Sequence, residues 1–183
     1  MQDRPGPWDL AVDTRVDAVE LALARLQRSI ATGTEVCLQL EAVHDGELAR
    51  DVVVGAGFEI VDVAVRQGGA RVRATRARTL PDFVAPDMGV LVCGLNPSVY
   101  AADAGVGFAR PGNRFWPGAL AARLVSVDRD PWHALGHHRV GLAQLVERAT
   151  RAAAGISAAE YRTGLARVAR LCMRLGPAVV PFV

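Results

Sequence analysis

The chain has 183 residues, of which 51% are hydrophobic and 22% charged, a composition that indicates an ordinary globular protein. No apolar stretch is long enough to cross a bilayer and the first residues lack a secretory signal pattern, so we expect a cytoplasmic protein without membrane contact. Cys37, Cys93 and Cys172 lie far apart in apolar runs, which predicts buried free thiols and does not fit a disulfide framework or a zinc or iron–sulfur site.

The net charge of +2 is unevenly distributed along the chain. Residues 1–83 contain 10 arginines and 13 acidic residues, a net −3, whereas residues 84–183 contain 11 arginines and 6 acidic residues, a net +5. This basic second part is compatible with a polyanionic partner. Every basic side chain is an arginine, so no lysine amine can form a Schiff base.

The first 83 residues predict a small α+β accessory module. Its predicted elements, in chain order, are an amphipathic helix over 14–31, a half-buried strand over 34–43, a short helix over 45–57, and hairpin arms over 58–67 and 70–79 joined by a diglycine turn. The stretch GAGFEIVDV and the hairpin faintly resemble the C-terminal part of a class I methyltransferase. Because the glycine-rich cofactor loop that opens such a domain is absent from the sequence, we expect no methyl transfer.

Two prolines and a change of charge within 80–89 predict a boundary between parts 1–83 and 84–183. The elements predicted after it are a strand buried on both faces over 90–95, a helix over 114–125, short helical or loop pieces over 131–138 and 141–150, a long helix over 157–176, and a buried strand over 178–183. A strand, a crossover helix and a second parallel strand need neighbours at their faces and edges. We therefore expect a parallel sheet that is incomplete at the carboxyl terminus, as in a truncated reading frame or a fragment.

The helix over 157–176 carries the strongest local signals. Ser157 and Glu160 predict a capping box, and Gly176 predicts its end. Its arginines are expected on a solvated face, namely Arg162, Arg167, Arg170 and Arg174.

The loop after the strand at 90–95 is unusual because it contains glycines, prolines, aromatics and arginines, in the stretches GLNPS and AADAGVGFARPGNRFWP. Gly94 permits a sharp exit from the strand, and Pro97 biases Asn96 toward an extended conformation. Ligands of open α/β sheets bind at the carboxyl ends of strands, and an amide held there suits the orientation of a water molecule. Alternatively, Asn-Pro is only turn chemistry and the aromatic pair 115–116 belongs to the core.

Taken together, these two stretches at this spacing resemble the mismatch-specific uracil/thymine-DNA glycosylase branch of the uracil-DNA glycosylase superfamily. The pattern there is Gly-Ile-Asn-Pro-Gly followed by a loop that ends in Pro-(Gly/Ala)-Asn-(Arg/His)-Phe-Trp. The resemblance covers about residues 88–183 and is closest over 90–117. It implies an α/β fold with a three-layer α/β/α parallel sheet of the uracil-DNA glycosylase type, here preceded by the small α+β module.

The resemblance implies an enzyme that flips uracil, or thymine opposite guanine, out of double-stranded DNA and hydrolyses its N-glycosidic bond in base-excision repair. Asn96 matches the residue that holds the attacking water, and Phe108 matches the residue that stacks on the base. Backbone amides near Leu95 and Phe108 would read the base edge, and Ala101 would be a small pocket residue. The positions expected to contact DNA are Ser98, Arg110, Asn113 and Arg114. No cofactor is implied, and the protein is expected to act as a monomer at the nucleoid.

The sequence departs from the family pattern in two places. Ser98 stands where the family usually has glycine, and the second family motif, with its Pro-Ser-x-Ser-Gly-like core, is absent. That motif supplies the loop that wedges into the duplex. The alternative function is therefore a truncated, catalytically inactive remnant with at most weak nucleic-acid binding. A nucleotide-binding Rossmann-like module is a third possibility, but GLNPS lacks the glycines that cradle phosphates.

A metal site is the remaining alternative. His133 and His137 are spaced to lie on one helical face, with His138 beside them. No Cys, Asp or Glu at a suitable spacing completes a ligand set, so we expect surface histidines and no metal.

Overall fold

The computed structural model describes residues 9–12, 19–41 and 43–183. The chain is a mixed α/β protein that divides into two compact units, Met1–Ala77 and Arg78–Val183, hereafter the N-terminal and C-terminal units. The division falls a few residues before the boundary predicted at 83. Each unit has its own sheet and helices.

The N-terminal unit contains a four-stranded sheet. Its elements are β1 (Asp9–Val12), α1 (Val19–Ser29), β2 (Glu35–Leu40), α2 (Gly46–Gly55), β3 (Phe58–Arg66) and β4 (Gly69–Arg76). The strand order is β1-β2-β4-β3, with β1 parallel to β2 and the other pairs antiparallel. Leu23 of α1, Val53 of α2, Leu38 of β2 and Val72 of β4 are fully buried in one apolar core.

Most elements predicted for this unit are confirmed, with two differences. The turn of the hairpin is Gln67-Gly68, while Gly69 already belongs to β4 at a φ of 114°. A Cβ at Gly69 would lie 2.2 Å from the carbonyl oxygen of Leu40, so only glycine fits there. Strand β1 was not predicted, and residues 14–18 of the predicted first helix lie outside the described residues.

The C-terminal unit is built around two parallel strands. Its elements are β5 (Val90–Gly94), α3 (Val99–Ala104), α4 (Phe115–Ala121), α5 (Pro131–His138), β6 (Val140–Gln144) and α6 (Ala158–Leu175). Strands β5 and β6 pair in register from Val90 opposite Val140 to Gly94 opposite Gln144. Phe83 pairs with Leu142 along the other edge of β6.

The prediction of a short helix or loop over 141–150 is wrong, because this segment begins with strand β6. All five residues of β6 are buried, so the strand lacks the alternation that reveals a half-buried strand. Gly141 is required by packing: a Cβ there would lie 2.6 Å from the sulfur of Met88.

The segment 178–183 is not the buried strand that was predicted. Its backbone pairs with β5 through isolated bridges at Val179 and Phe182, but these two side chains are 57% and 59% exposed. Pro181 lacks the N–H that a continuous ladder needs.

The prediction of buried cysteines holds for Cys93, which is fully buried, and fails for Cys37 and Cys172, which are half-buried. Cys37 lies on the face of β2 opposite the core.

Helix α6 confirms its predicted caps but corrects its predicted face. The capping box of Ser157 and Glu160 is present, and Gly176 ends the helix at a φ of 61°. Arg167 is only 5% exposed and therefore does not belong to a solvated face. A Cβ at Gly164 would lie 1.9 Å from the carbonyl oxygen of Leu145, so this glycine lets α6 approach the chain after β6 closely.

Candidate functional site

The two loops that leave β5 and β6 run side by side at the carboxyl ends of these strands. The amides of Leu145 and Val146 donate to the carbonyls of Gly94 and Leu95, at 2.8 and 2.9 Å. Further along, the amide of Thr150 donates to the carbonyl of Pro97 at 3.0 Å. These bonds extend the parallel pairing beyond the strands and fix the position of the GLNPS loop.

Asn96 is held by its side-chain nitrogen. The two N–H groups of Nδ2 are shared among three acceptors: the carbonyl oxygens of Pro97 and Arg148, at 3.1 and 3.0 Å, and Oγ1 of Thr150, at 2.8 Å. Thr150 uses its own hydroxyl proton on the carbonyl of Ala152, so its oxygen can only accept from Asn96. The amide orientation is therefore determined, and Oδ1 remains as an acceptor without a donor among the described residues.

Asn96 lines a cavity of about 590 Å³ within the C-terminal unit. This volume is within the roughly 300–1,000 Å³ typical of small-ligand sites. All eight residues predicted from the sequence to form the site line it: Leu95, Asn96, Ser98, Ala101, Phe108, Arg110, Asn113 and Arg114. Among the other residues of its wall are Leu80, Gly107, Phe115 and Gln144.

Two aromatic rings form one side of this cavity. The ring centroids of Phe108 and Phe115 are 4.4 Å apart, with an angle of 35° between the planes. Phe108 has a φ of 58°, a left-handed conformation that costs a residue with a side chain roughly 1–2 kcal/mol. Trp116 is fully buried, as expected for a core residue, and its indole N–H donates to the carbonyl of Gly107 at 2.8 Å. This bond holds the loop beside Phe108 against α4.

The other predicted site residues divide into two groups. Ser98 and Asn113 hold the local backbone. Oγ of Ser98 caps α3 by accepting from the amide of Ala101 at 3.1 Å, and Oδ1 of Asn113 accepts from the amide of Phe115 at 2.8 Å in the turn that leads into α4. Arg110 and Arg114 are exposed at the rim, and no described residue forms an ion pair with either.

Sequence reasoning missed Gln144 and Thr150. Gln144 is the last residue of β6, is only 5% exposed, and lines the cavity with its amide side chain. A Cβ at Gly94 would lie 2.6 Å from Oε1 of Gln144, so this glycine makes room for the amide. Both residues fall in the segment where the strand was not predicted. The sequence did contain one signal for Gln144. The apolar run of β6 ends in this polar residue, just as the apolar run of β5 ends close to Asn96.

Among the residues that line the cavity, none is acidic and none is a histidine. The part of the chain that the structure describes also contains no group of three His, Cys, Asp or Glu side chains placed to hold a metal. The rings of His133 and His137 stack on each other at 4.3 Å on α5, and neither residue lines the cavity. The groups that the cavity offers are therefore amides, aromatic faces and rim arginines.

No described helix has both the length and the hydropathy of a membrane span. A comparison of the sequence with models of known protein families gave no match.

Proposed function

We propose that the C-terminal unit is a monofunctional DNA glycosylase that binds uracil, or thymine opposite guanine, flipped out of double-stranded DNA. The observation that carries this proposal is the fixed amide of Asn96, a residue of the wall of a cavity with aromatic faces, whose Oδ1 accepts from no described residue. An acceptor of fixed orientation can hold one proton of a water molecule and direct its lone pair toward a sugar carbon.

The chemistry follows from what the cavity lacks. Asn96 cannot ionise and no acidic or histidine side chain lines the wall, so no strong base is available to deprotonate water. In the proposed reaction the glycosidic bond breaks toward the base, which leaves with the bonding electrons, and the water held by Asn96 adds to the electron-deficient sugar carbon. The water proton passes to solvent. Uracil and thymine suit this route because their leaving anions are delocalised.

The aromatic and polar groups of the wall support a flipped base as the ligand. A base that stacks on an aromatic ring such as Phe108 gains about 1–3 kcal/mol, which offsets part of the few kcal/mol that flipping requires. The amide of Gln144 offers a donor and an acceptor to the base edge. Arg110 and Arg114 are free to contact phosphates at the rim.

The fold that we propose for this unit is the three-layer arrangement of uracil-DNA glycosylases. Its support is the parallel pairing of β5 with β6, with the cavity at their carboxyl ends. The segment at 178–183 pairs with β5 along the edge opposite β6, through isolated parallel bridges. The charge is also suitable: residues 78–183 contain 12 arginines and 7 acidic residues, a net +5. We propose that the protein acts as a monomer at the nucleoid.

The test is base release from labelled duplexes that contain a single U·G, T·G or C·G pair. We expect free uracil or thymine from the first two and none from the third. Strand breaks should appear only after alkali, because a chain without lysine has no side-chain amine for lyase chemistry. A catalytically inactive remnant would instead release no base, and any DNA binding would weaken steeply with added salt.

A further inference from the structure

A buried cluster of three ionisable side chains lies next to the cavity wall. Arg167 of α6 donates from Nη1 to Oδ2 of Asp82 and from Nη2 to Oε1 of Glu147, both at 2.5 Å. The side chains of Arg167, Asp82 and Glu147 are 6%, 4% and 13% exposed. Two carboxyl groups thus share one guanidinium with little access to water.

This cluster holds the backbone of Gln144 from both sides. The amide of Gln144 donates to Oδ1 of Asp82 at 3.3 Å, and its carbonyl accepts from Nη2 of Arg167 at 2.6 Å. Glu147 is held in addition by its carbonyl, which accepts from the hydroxyl of Thr79. The residue after Glu147 is Arg148, whose carbonyl accepts from the side chain of Asn96. The side-chain amides of Gln144 and Asn96 are therefore both connected to the cluster.

The charges of the cluster balance only if one carboxyl group carries a proton. Oε2 of Glu147 is sealed from solvent and has no hydrogen-bond partner when both carboxyl groups are treated as acceptors. A protonated Glu147 forms a hydrogen bond with Asp82 through its carboxyl group. Burial, and then the negative charge of Asp82, raise the pKa of Glu147 well above 4.5, against the opposing effect of Arg167. Burial also raises the pKa of Asp82, but Arg167 and the hydrogen bond from the amide of Gln144 oppose this rise, so Asp82 is the ionised partner of Arg167.

Two thiols complete the ionisable groups on this side. Cys93 on β5 interacts with the three charged side chains, and burial raises its pKa to about 12; burial also raises the pKa of Cys172 on α6, which packs against the apolar group of Cys93. Neither thiol can supply the missing proton or a compensating charge near neutral pH.

We propose that Asp82, Glu147 and Arg167 bind a single proton, carried by Glu147, and that this proton keeps the amides of Gln144 and Asn96 in position on the cavity wall. Loss of the proton leaves two negative charges around one guanidinium in a site with little water, so the loop after β6 must rearrange. The three residues are thus positioning residues that make the cavity sensitive to alkaline pH. The effect on base release rests on the proposed function, whereas the effect on the cavity does not.

The experiment compares the wild-type protein with Glu147→Gln between pH 5 and pH 9. Glutamine copies the protonated carboxyl, since its oxygen can accept from Arg167 and its N–H₂ can donate to Asp82. Glu59→Gln, the same substitution at an exposed position of β3, is the control. The readouts are the thermal unfolding midpoint, the NMR signals of the Asn96 and Gln144 side-chain amides, and single-turnover uracil release.

As pH rises, we expect the thermal unfolding midpoint of the wild-type and control proteins to fall. The NMR signals of their Asn96 and Gln144 side-chain amides should shift over the same pH range. Their uracil release should fall by about tenfold per pH unit once the proton is lost. Glu147→Gln should show none of these changes. Identical pH profiles for wild type and Glu147→Gln would overturn the proposal.

Two further outcomes are distinguishable. If no variant releases uracil at any pH but the midpoints and amide signals respond as stated, the glycosylase proposal fails and the shared proton is supported. If Glu147→Gln does not fold, the carboxyl carbon signal of Glu147 in the wild type decides: a protonated group at neutral pH supports the proposal, and an ionised group at pH 5 overturns it.

Discussion

The side-chain nitrogen of Asn96 lies 2.8 Å from the hydroxyl oxygen of Thr150, although the two residues are 54 positions apart in the sequence. The bond links the loop after β5 to the loop after β6. Because the hydroxyl of Thr150 donates to Ala152, it can only accept from Asn96. The orientation of the Asn96 oxygen, on which the proposed chemistry depends, is thus determined by a residue that need not touch the substrate.

Thr150→Val should slow single-turnover uracil release by about tenfold, which corresponds to about 1.4 kcal/mol. The valine has the shape of threonine but cannot accept the hydrogen bond, so the amide of Asn96 is less firmly oriented. Thr150→Ser keeps the hydroxyl and should stay close to wild type. Thr163→Val, at an exposed position of α6, is the control for the loss of a threonine hydroxyl. Equal rates for Thr150→Val and Thr150→Ser would refute the positioning role.

Phe108→Gly should be more stable than Phe108→Ala by about 1 kcal/mol, because glycine adopts the φ of 58° without the steric penalty of a Cβ. The matched pair at Tyr161, inside α6, should show the opposite order, since glycine in a helix is about 1 kcal/mol worse than alanine. Chemical denaturation of the four variants measures both differences. If alanine is the more stable residue at 108, the backbone there is not left-handed in solution.

Gly164→Ala should lower the free energy of unfolding by several kcal/mol, since the new Cβ would overlap the carbonyl of Leu145 at 1.9 Å. Gly136→Ala, in α5, meets no atom within 4 Å and should stabilise the protein by roughly 0.5–1 kcal/mol. Thermal unfolding of both variants measures the contrast. A neutral Gly164→Ala would mean that α6 does not pack as closely as described.

Acid should remove the stability contributed by Glu160. Hydrogen bonds from Arg148 first, and then from Ser157, lower the pKa of Glu160 from 4.5 to about 2. Because its folded-state pKa lies below its unfolded value, this contribution is present above pH 4.5 and is lost as pH falls toward 2. The difference in unfolding midpoint between wild type and Glu160→Gln should therefore shrink over that interval. A difference that stays constant with pH would contradict the assignment.

The elements that were predicted correctly have local signals. The capping box at Ser157 and Glu160, the alternating arms of the β3–β4 hairpin and the apolar run of β5 each involve residues close in sequence. The clustering of the predicted site residues around one cavity follows for the same reason, since all of them lie between Leu95 and Arg114. A stretch of twenty residues that leaves one strand end cannot spread far from it.

The features that were missed depend on residues far apart in sequence. Strand β6 is buried on both faces, so its pattern resembles that of a short buried helix. Arg167 has the spacing of an exposed helix residue, and only its partners Asp82 and Glu147 explain its burial. Thr150 and Gln144 contribute to the site through the pairing of β5 with β6. These contacts become visible only when the two strands are placed side by side.

The central claim is that Asn96 positions the attacking water, and Asn96→Ala tests it most directly. Single-turnover uracil release from a U·G duplex should fall by at least about a hundredfold, the size of effect typical for loss of a group that acts in the transition state. Binding to the same duplex, measured by fluorescence anisotropy, should stay close to wild type, because the rim arginines and the aromatic wall are unchanged. Equal rates of uracil release by wild type and Asn96→Ala would contradict the account.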